Sequence, residues 1–449
     1  MSGRRGAGPG DADEGVAEFE PPSIASGGLQ ALLFRATELV SLVLMVVVTA
    51  RLLGPSGRGL YALASLSIGL CQVPFSSVWV ANAVELARKR ATPRELFGVS
   101  MVVAAGGGTV TCLVALAISP LLGDRWWVLA LPSLVTPFVL LRAYQEGLWT
   151  ALGHVRAVNV LRLGRATLPF LFITPPLLAG ATTRTSIVIW ELAFVALAIT
   201  AYFPLRAFVG GPIVPRGRRL YRRVVTYGLT LSSFRVVQLL NERIGLIALA
   251  AFSTNAAVGV FSIAIAATDV LLLSTEALAL STFRRIGSEA REASAALTVR
   301  TIRHCVLLAA VASVLVTPLA YLTLPWVLGP GYGEVPLLLL LLLPNVMCVA
   351  AITPLYTFFQ VQTEKPVAML GVTGSALVAS AALNVALAPE WGEKGAAVAA
   401  SLGGIVAAVV AFRAFAVGTQ TRLRELRPGR QEVRDYVALV TSFTGRRSR

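Results

Sequence analysis

The sequence has few charged residues: Asp, Glu, Lys and Arg make up 14% of its 449 positions, against about 25% in a typical soluble domain. Hydrophobic residues make up 56%, and the mean hydropathy is +0.74. Such a chain has too little polar surface to face water on all sides. Its composition therefore excludes an ordinary soluble enzyme and predicts a membrane protein with many spans.

Cysteine and histidine are scarce as well. The four cysteines lie inside or beside apolar runs without close spacing, so they are predicted to be small buried hydrophobic residues. His154 and His304 are isolated and belong to no zinc motif. We expect neither a structural disulfide nor a metal site, and no cofactor.

Lysine occurs only three times, so arginine carries the net charge of +16. The arginines cluster in a few short connections and near the C-terminus. This placement argues against a nucleic-acid partner and indicates membrane topology instead. The Gly/Pro-rich, acidic N-terminus lacks the apolar core of a signal peptide and is predicted to be a disordered tail.

Twelve apolar segments are each long enough to cross a bilayer as a helix. None shows the short alternating pattern of a membrane β-strand. The predicted fold is therefore all-α, although ten prolines are expected to interrupt several helices. The segments are 29–53, 59–84, 96–122, 127–150, 160–180, 185–208, 225–251, 256–282, 304–328, 334–359, 367–388 and 395–418.

Arginine alternates between the two sides of the predicted bundle. The connections 85–95, 209–224 and 283–303 are rich in arginine, whereas "GDRW", "STNA" and "GPGYG" are short and nearly uncharged. The bias places the basic connections and both termini in the cytoplasm. The predicted division is a disordered tail (1–28), a six-helix lobe (29–208), a basic cytoplasmic linker (209–224), a second lobe (225–418) and a basic tail (419–449).

The two predicted lobes contain an internal repeat. Residues 34–64 align with 234–264 without gaps at an offset of 200, matching a Phe-Arg pair and a Gly-x-aromatic pair in one register. Arg35 corresponds to Arg235, and Gly59 corresponds to Gly259. A weaker similarity relates "LGDRWW" to "LGPGYG". Because six helices separate the matched segments, the repeats are parallel about an axis along the membrane normal.

Ionisable groups inside membrane helices are costly and are functional candidates by default. Their spacing indicates local pairs for Arg35 with Glu38 and for Arg142 with Glu146. In the segment 225–251, Arg235, Gln238 and Glu242 are spaced to form one polar stripe along a helix. The candidates are the ionisable Arg35, Glu38, Arg142, Glu146, Arg162, Arg165, Glu191, Arg235, Glu242, Asp269 and Glu276, with the neutral Gln238 of the stripe.

The arginines suggest an anionic ligand. We predict that Arg35 and Arg235 clamp a diphosphate from opposite walls of one cavity, with Glu38 and Glu242 as partners at rest. Arg142, Arg162 and Arg165 are further candidates, unless the last two extend to the membrane interface. Arg51 and Arg58 are predicted at the outer mouth, as headgroup contacts or as interfacial anchors.

Three carboxylates have no nearby cation in the sequence. Asp269, Glu276 and Glu191 are candidates to bind a coupling proton or sodium ion. The alternative is pairing with arginines on other helices.

Four stretches resemble the helix-pair motifs of bacterial polysaccharide flippases, the oligosaccharide translocases of the MOP superfamily, which are related to MATE exporters and lipid II flippases. They are "ARLLGPSGRGLYALA", "NERIGLIALAAFSTNAAVGVFSIAIAA", "LGPGYGEVPLLLLLLLPNVM" and "NVALAPEWGEKGAAVAASLG". The resemblance spans residues 29–418. It implies two six-helix lobes in a V around a central cavity, alternating access, and a polyprenyl-diphosphate-linked oligosaccharide as cargo. Twelve rather than fourteen segments favour the polysaccharide branch.

Three functions follow as hypotheses. The first is flipping of a lipid-linked glycan across the cytoplasmic membrane of a bacterium, with membrane lipids, a polysaccharide polymerase and glycosyltransferases as partners. The second is cation-coupled drug efflux, which is less consistent with an arginine-lined cavity. The third is an intramembrane glycan polymerase or ligase, which would need a larger external loop than the sequence offers. An enzymatic role is therefore not expected.

Overall fold

The computed structural model contains helices and no strands over the residues it describes, which are 24–215, 217–362 and 366–420 with the single positions 429 and 434. Side chains are described from Thr37 onward, except at 280, 284, 287, 361 and 366–368. Most of the two predicted tails, and the side chain of Arg35, lie outside the described residues.

Twelve α-helices and two short 3₁₀ helices, Val73–Phe75 and Ser119–Arg125, form the described chain. The helices of the first half are α1 (Ile24–Gln72), α2 (Val78–Ala87), α3 (Pro93–Ile118), α4 (Trp127–Leu134), α5 (Thr136–Ala151), α6 (Val155–Leu178) and α7 (Thr183–Val209). Those of the second half are α8 (Arg218–Phe252), α9 (Asn255–Ser288), α10 (Arg291–Leu328), α11 (Val335–Gln362) and α12 (Pro366–Thr419).

Two of these helices contain a glycine break and cross the membrane twice. Gly54 in α1 has φ 65°, and Gly392 in α12 has φ 55°, values that glycine adopts without steric cost. An unbroken helix as long as the 49 residues of α1 would measure about 74 Å, more than twice the ~30 Å hydrocarbon core. Each break is therefore the tight turn between two antiparallel spans.

The described helices are compatible with the predicted twelve crossings. Seven stretches are long and apolar enough to span a membrane, and the two that contain a glycine break each provide two crossings. Helices α4 and α5 together form one further span, which is bent by 46°. The remaining two are α6 and α8, which are long enough but carry several arginines each. The predicted all-α, many-span fold is confirmed.

The prediction that residues 283–303 form a basic loop is wrong. In the structure α9 continues to Ser288 and α10 begins at Arg291, so only two residues separate them. Likewise α8 begins at Arg218, inside the predicted linker. Alanine, glutamate and arginine are strong helix formers, so the helices continue past the apolar spans that hydropathy detects.

Most prolines do not interrupt a helix. Pro74 lies in a 3₁₀ helix between α1 and α2, and Pro137 lies at the bend that begins α5. Pro169, Pro318 and Pro344, by contrast, lie inside continuous helices. Neighbouring helices in a membrane bundle tolerate such prolines, so proline alone predicts breaks poorly here.

Most helices pack against helices of the same half of the chain. In the first, α1 packs on α4 and α6, α3 packs on α5, and α6 packs on α7. In the second, α12 packs on α8 and α11, and α9 and α10 pack on each other and on α11. The lobes meet where α1 contacts α9 and where α2 contacts α8. The largest apolar cluster crosses the α1–α9 contact, so the lobes share a core there.

Candidate functional site: a basic cavity between the lobes

A cavity of about 400 Å³ lies between the lobes. Helices α1, α5, α6 and α7 form its first-lobe wall, and α8 and α9 form the other. The polar and aromatic residues of the lining are Arg58, Tyr61, Ser65, Gln72, Arg142, Arg165, Trp190, Phe194, Arg243, Ser262 and Asp269. The lining thus carries four arginines and one carboxylate.

Arg58 is buried in this lining, with 6% of its surface exposed. Its Nη1 donates a hydrogen bond to Thr49 Oγ1 at 2.7 Å, and its guanidinium lies 4.9 Å from the ring centroid of Tyr61. Its Nε has no acceptor among the described residues. The prediction that Arg58 lies at the outer mouth is corrected: the helix that follows the Gly54 turn directs this side chain inward.

Carboxylates hold one arginine of α5 and two of α6. Arg142 Nη1 lies 2.9 Å from Glu146 Oε2, and Arg162 Nε lies 3.0 Å from the other oxygen of the same carboxylate. Arg165 Nη2 contacts Glu38 Oε1 at 3.2 Å. The i, i+4 pair was predictable from spacing, whereas both contacts from α6 depend on how that helix packs. These pairs orient Arg142 and Arg165 along the cavity wall.

Arg243 supplies the second lobe's cation and is not among the residues predicted from the sequence. Its Nη2 lies 3.7 Å from Asp269 Oδ2, and both residues line the cavity. Asp269 therefore follows the alternative of pairing with an arginine on another helix, because α9 places it beside α8. A signal was available: Arg243 lies mid-helix with no carboxylate three or four residues away, which is a costly position without a tertiary partner.

The predicted polar stripe on α8 is a hydrogen-bonded chain. Arg235 Nη1 donates to Gln238 Oε1, and Gln238 Nε2 donates to Glu242 Oε1, both at 2.9 Å. These three residues are not in the cavity lining. Arg235 precedes Arg243 by eight residues, or about 12 Å along the helix. The clamp of Arg35 with Arg235 stays a prediction, since the Arg35 side chain lies outside the described residues.

Glu191 and Glu276 lie outside the lining as well. Glu191 is buried in α7 with 3% exposure, and its Oε1 has no hydrogen-bond partner among the described residues. Glu276 lies two turns beyond Asp269 on α9, on an exposed face. Of the three coupling candidates, only Glu191 combines burial with an unpartnered carboxylate oxygen.

An aromatic wall faces the arginines. The ring of Trp190 lies 4.8 Å from that of Tyr61 and 5.2 Å from that of Phe194, in edge-to-face geometry. The indole Nε1 of Trp190 is buried and has no acceptor among the described residues. With Arg58 Nε, the lining therefore includes two buried donors without acceptors.

The lobes are closed at the end predicted to be external. Gly59 of α1 and Gly259 of α9 pack so closely that a side chain on Gly59 would collide with the carbonyl oxygen of Asn255, and one on Gly259 with that of Pro55. We call this contact, together with the hydrogen bonds around it, the outer seam.

Two crossed hydrogen bonds reinforce the outer seam. Tyr332 donates through its hydroxyl to the carbonyl oxygen of Ala50 at 3.1 Å, and Arg125 Nη1 donates to that of Ala250 at 2.8 Å. Ala50 and Ala250 are repeat-related, and each accepts from the other lobe. Arg51, predicted at the outer mouth, also bonds across the lobes: its Nε donates to the carbonyl oxygen of Val327 at 2.6 Å.

The cysteines and carboxylates do not converge. All four cysteines are free thiols, and no group of three or more His, Cys, Asp or Glu within the described residues has the arrangement of a metal site. The side chains that the cavity presents to a ligand are therefore mainly arginines, aromatic rings and hydroxyl groups.

Comparison with solved structures shows which fold this chain has. No family model and no curated protein matches the sequence. A structure of the lipid II flippase MurJ in an inward closed conformation matches with a TM-score of 0.64 and 12% identity, covering 88% of this chain and 89% of that one.

Two exporters match similarly. An inward-facing multidrug resistance MATE family transporter of the MOP superfamily has a TM-score of 0.66 at 14% identity, covering 87% of this chain and 98% of that one. A Vibrio cholerae MATE transporter has a TM-score of 0.56 at 14% identity, covering 90% and 99%. The chain thus has the fold of MOP-superfamily transporters, and the likeness covers flippase and exporter alike.

Proposed function

We propose that the protein transports a polyprenyl-diphosphate-linked oligosaccharide across the cytoplasmic membrane of a bacterium by alternating access. Both termini lie in the cytoplasm, and the cargo enters from that side. Given the chemistry of this cargo, the protein acts after the glycosyltransferases that build lipid-linked glycans and before a polymerase that consumes them.

The donor-rich lining of the cavity carries this proposal. Arginine guanidinium and tryptophan N–H groups donate hydrogen bonds and accept none, and the lining carries four arginines and Trp190. Phosphate oxygens and sugar hydroxyls supply acceptors. A hydrogen bond to a charged group contributes about 1.5–3 kcal/mol, and the guanidinium fork suits phosphate geometry.

The arrangement of the arginines adds to this support. Three come from the first lobe and Arg243 comes from the second, so a diphosphate would touch both lobes. When the lobes move apart at one end and together at the other, such a ligand stays between them. Of the glycan itself, the 400 Å³ cavity has room for the part next to the diphosphate, and longer chains require the lobes to separate further.

Drug efflux is the second candidate, because the fold is shared with multidrug exporters. A cationic compound would meet four arginines, and the carboxylates beside them, Asp269, Glu146 and Glu38, already face arginines. Electrostatic complementarity therefore favours an anionic cargo. An intramembrane polymerase or ligase is the least supported function, since the described turns at the outer end are short.

The test is transport by the reconstituted protein. Vesicles containing a fluorescent lipid-linked glycan report flipping through quenching of outer-leaflet probe, and a second set loaded with a cationic dye reports efflux. We expect flipping without dye efflux. Arg58→Gln and Arg243→Gln should each reduce flipping about ten- to a hundredfold, and Arg→Lys at either position should restore it in part.

Arg156→Gln is the matched control, because Arg156 is an exposed arginine of α6 outside the cavity lining. It should flip at the parental rate. Dye efflux without flipping would replace the proposal by its alternative. Parental flipping in both cavity variants, at equal expression, would remove the diphosphate assignment.

A further inference from the structure

A second concavity, of about 620 Å³, lies where the lobes meet at their predicted cytoplasmic ends. It is formed by the last turns of α2, the connection after it and the first turns of α8. Five arginines line it: Arg88, Arg90, Arg219, Arg222 and Arg223. We call it the basic groove. It shares no lining residue with the central cavity.

The basic groove has an excess of cations. Glu85 is its single carboxylate, and Arg223 Nη2 already lies 2.8 Å from Glu85 Oε2. The other four arginines have no carboxylate partner among the described residues. Two of these come from the first lobe and two from the second, so like charges face each other where the lobes meet. An anion between them would remove this repulsion and hold both sides.

The rest of the groove is neutral. Ala81 and Val84 of α2 lie two turns and one turn before Arg88, and Thr226 and Thr230 of α8 lie one and two turns after Arg222. Tyr227, which is 46% exposed, adds a phenol ring beside the hydroxyls. A basic end thus continues into a neutral wall that follows two helices of the bundle.

We propose that the basic groove binds the phosphate headgroup of an anionic phospholipid, whose chains lie along the neutral wall. Guanidinium forks match phosphate geometry, and basic pockets between helices on the cytoplasmic side suit anionic headgroups. A soluble phosphate would satisfy the arginines but would leave the neutral wall without a partner, whereas a lipid covers both. The bound lipid holds α2 against α8 and stabilises the contact between the lobes.

The test compares lipid retention by the purified full-length protein in detergent. Native mass spectrometry counts bound phosphatidylglycerol and phosphatidylcholine after mixing at equal concentration, and a thermal melt reports the stabilisation. The parental protein should retain phosphatidylglycerol preferentially. Arg88→Gln with Arg222→Gln should weaken that retention roughly ten- to thirtyfold, since each basic group contributes a several-fold gain in affinity.

Two matched variants make the result specific. Arg156→Gln with Arg413→Gln removes the same charge from exposed arginines outside the groove and should change retention less than twofold. Arg88→Lys with Arg222→Lys keeps the charge and should preserve most of the phosphatidylglycerol retention. A further arm replaces lipid by inorganic phosphate at the same concentration, which should leave the melting temperature unchanged.

Three outcomes would overturn the proposal. They are equal retention of the two lipids by the parental protein, equal loss in the groove and control variants, and stabilisation by inorganic phosphate as large as that by phosphatidylglycerol. The assay does not use cargo, so its result is independent of the proposed transport activity.

Discussion

Gly59 and Gly259 lie at corresponding positions of the two repeats and pack directly against each other. A Cβ on Gly59 would lie 3.1 Å from the amide nitrogen of Gly259, and a Cβ on Gly259 would lie 2.9 Å from that of Gly59. Each also faces the partner repeat's residue four positions earlier, Asn255 or Pro55. Reciprocal contacts of this kind are the signature of a twofold interface. The pseudo-twofold axis of the repeat therefore passes through the outer seam.

Gly59→Ala should open the outer seam. The added methyl group meets backbone atoms, which cannot rotate away, so the lobes must separate where they now touch. In a variant without native cysteines, a cysteine replacing Ser262 in the cavity should then react with an impermeant thiol reagent from outside several times faster. Gly106→Ala is the control, since a methyl group there meets nothing within 4 Å. Equal labelling in both variants would contradict the closed seam.

Tyr332→Phe should loosen the seam without a steric change. Tyr332 is 1% exposed, and the substitution removes only the hydroxyl that bonds to Ala50. Losing this hydrogen bond costs about 1 kcal/mol, which shifts the closed-to-open equilibrium about fivefold. Distances between spin labels on the two lobes measure that shift. Tyr321→Phe, at an exposed tyrosine, should leave the distances unchanged; a Tyr332 variant that does the same would exclude a role for the hydroxyl.

Glu146→Gln should destabilise the first lobe. Glu146 neutralises Arg142 and Arg162 together, and Arg142 is buried. Removing the shared carboxylate leaves a buried cation uncompensated, at a cost of about 3 kcal/mol. We expect a clear fall in melting temperature in detergent. Combining Glu146→Gln with Arg142→Gln should recover part of it; a double variant less stable than Glu146→Gln would show that the pair is not coupled as the contacts indicate.

Glu191→Gln should remove the dependence of transport on an ion gradient. The residue is buried, and one of its carboxylate oxygens has no partner among the described residues, which suits reversible uptake of a proton. The measurement is flipping in vesicles with and without an imposed proton or sodium gradient. Asp269→Asn is the comparison, because Asp269 faces Arg243. Gradient-dependent flipping that persists in Glu191→Gln would assign coupling elsewhere.

Membrane orientation is checked by single cysteines in the same cysteine-free background. Cysteines at Ser56 and Gly333 should react with an impermeant reagent from outside, and those at Gly217 and Ser288 should not. All four positions are exposed, so a lack of reaction reports sidedness rather than burial. The reverse pattern would invert the orientation that the arginine distribution predicts.

The sequence by itself determined the features that depend on local chemistry. Apolar segments of membrane length predicted the helices, since every backbone polar group in lipid must be satisfied within its own segment. The match of residues 34–64 with 234–264 predicted the Gly59–Gly259 correspondence. The three- and four-residue spacings in α5 and α8 predicted Arg142 with Glu146 and the chain from Arg235 to Glu242, because such residues are neighbours on any helix.

Only the tertiary structure decided which of these groups meet in the cavity. Arg58 lies inside rather than at the mouth, Arg165 contacts Glu38, and Arg243 faces Asp269. Each relationship depends on the rotation of one helix against another. That rotation is set by contacts between residues far apart in the chain, such as the glycine contact at the outer seam. Helical spacing fixes the neighbours of a residue on its own helix, but packing between helices fixes what its side chain touches.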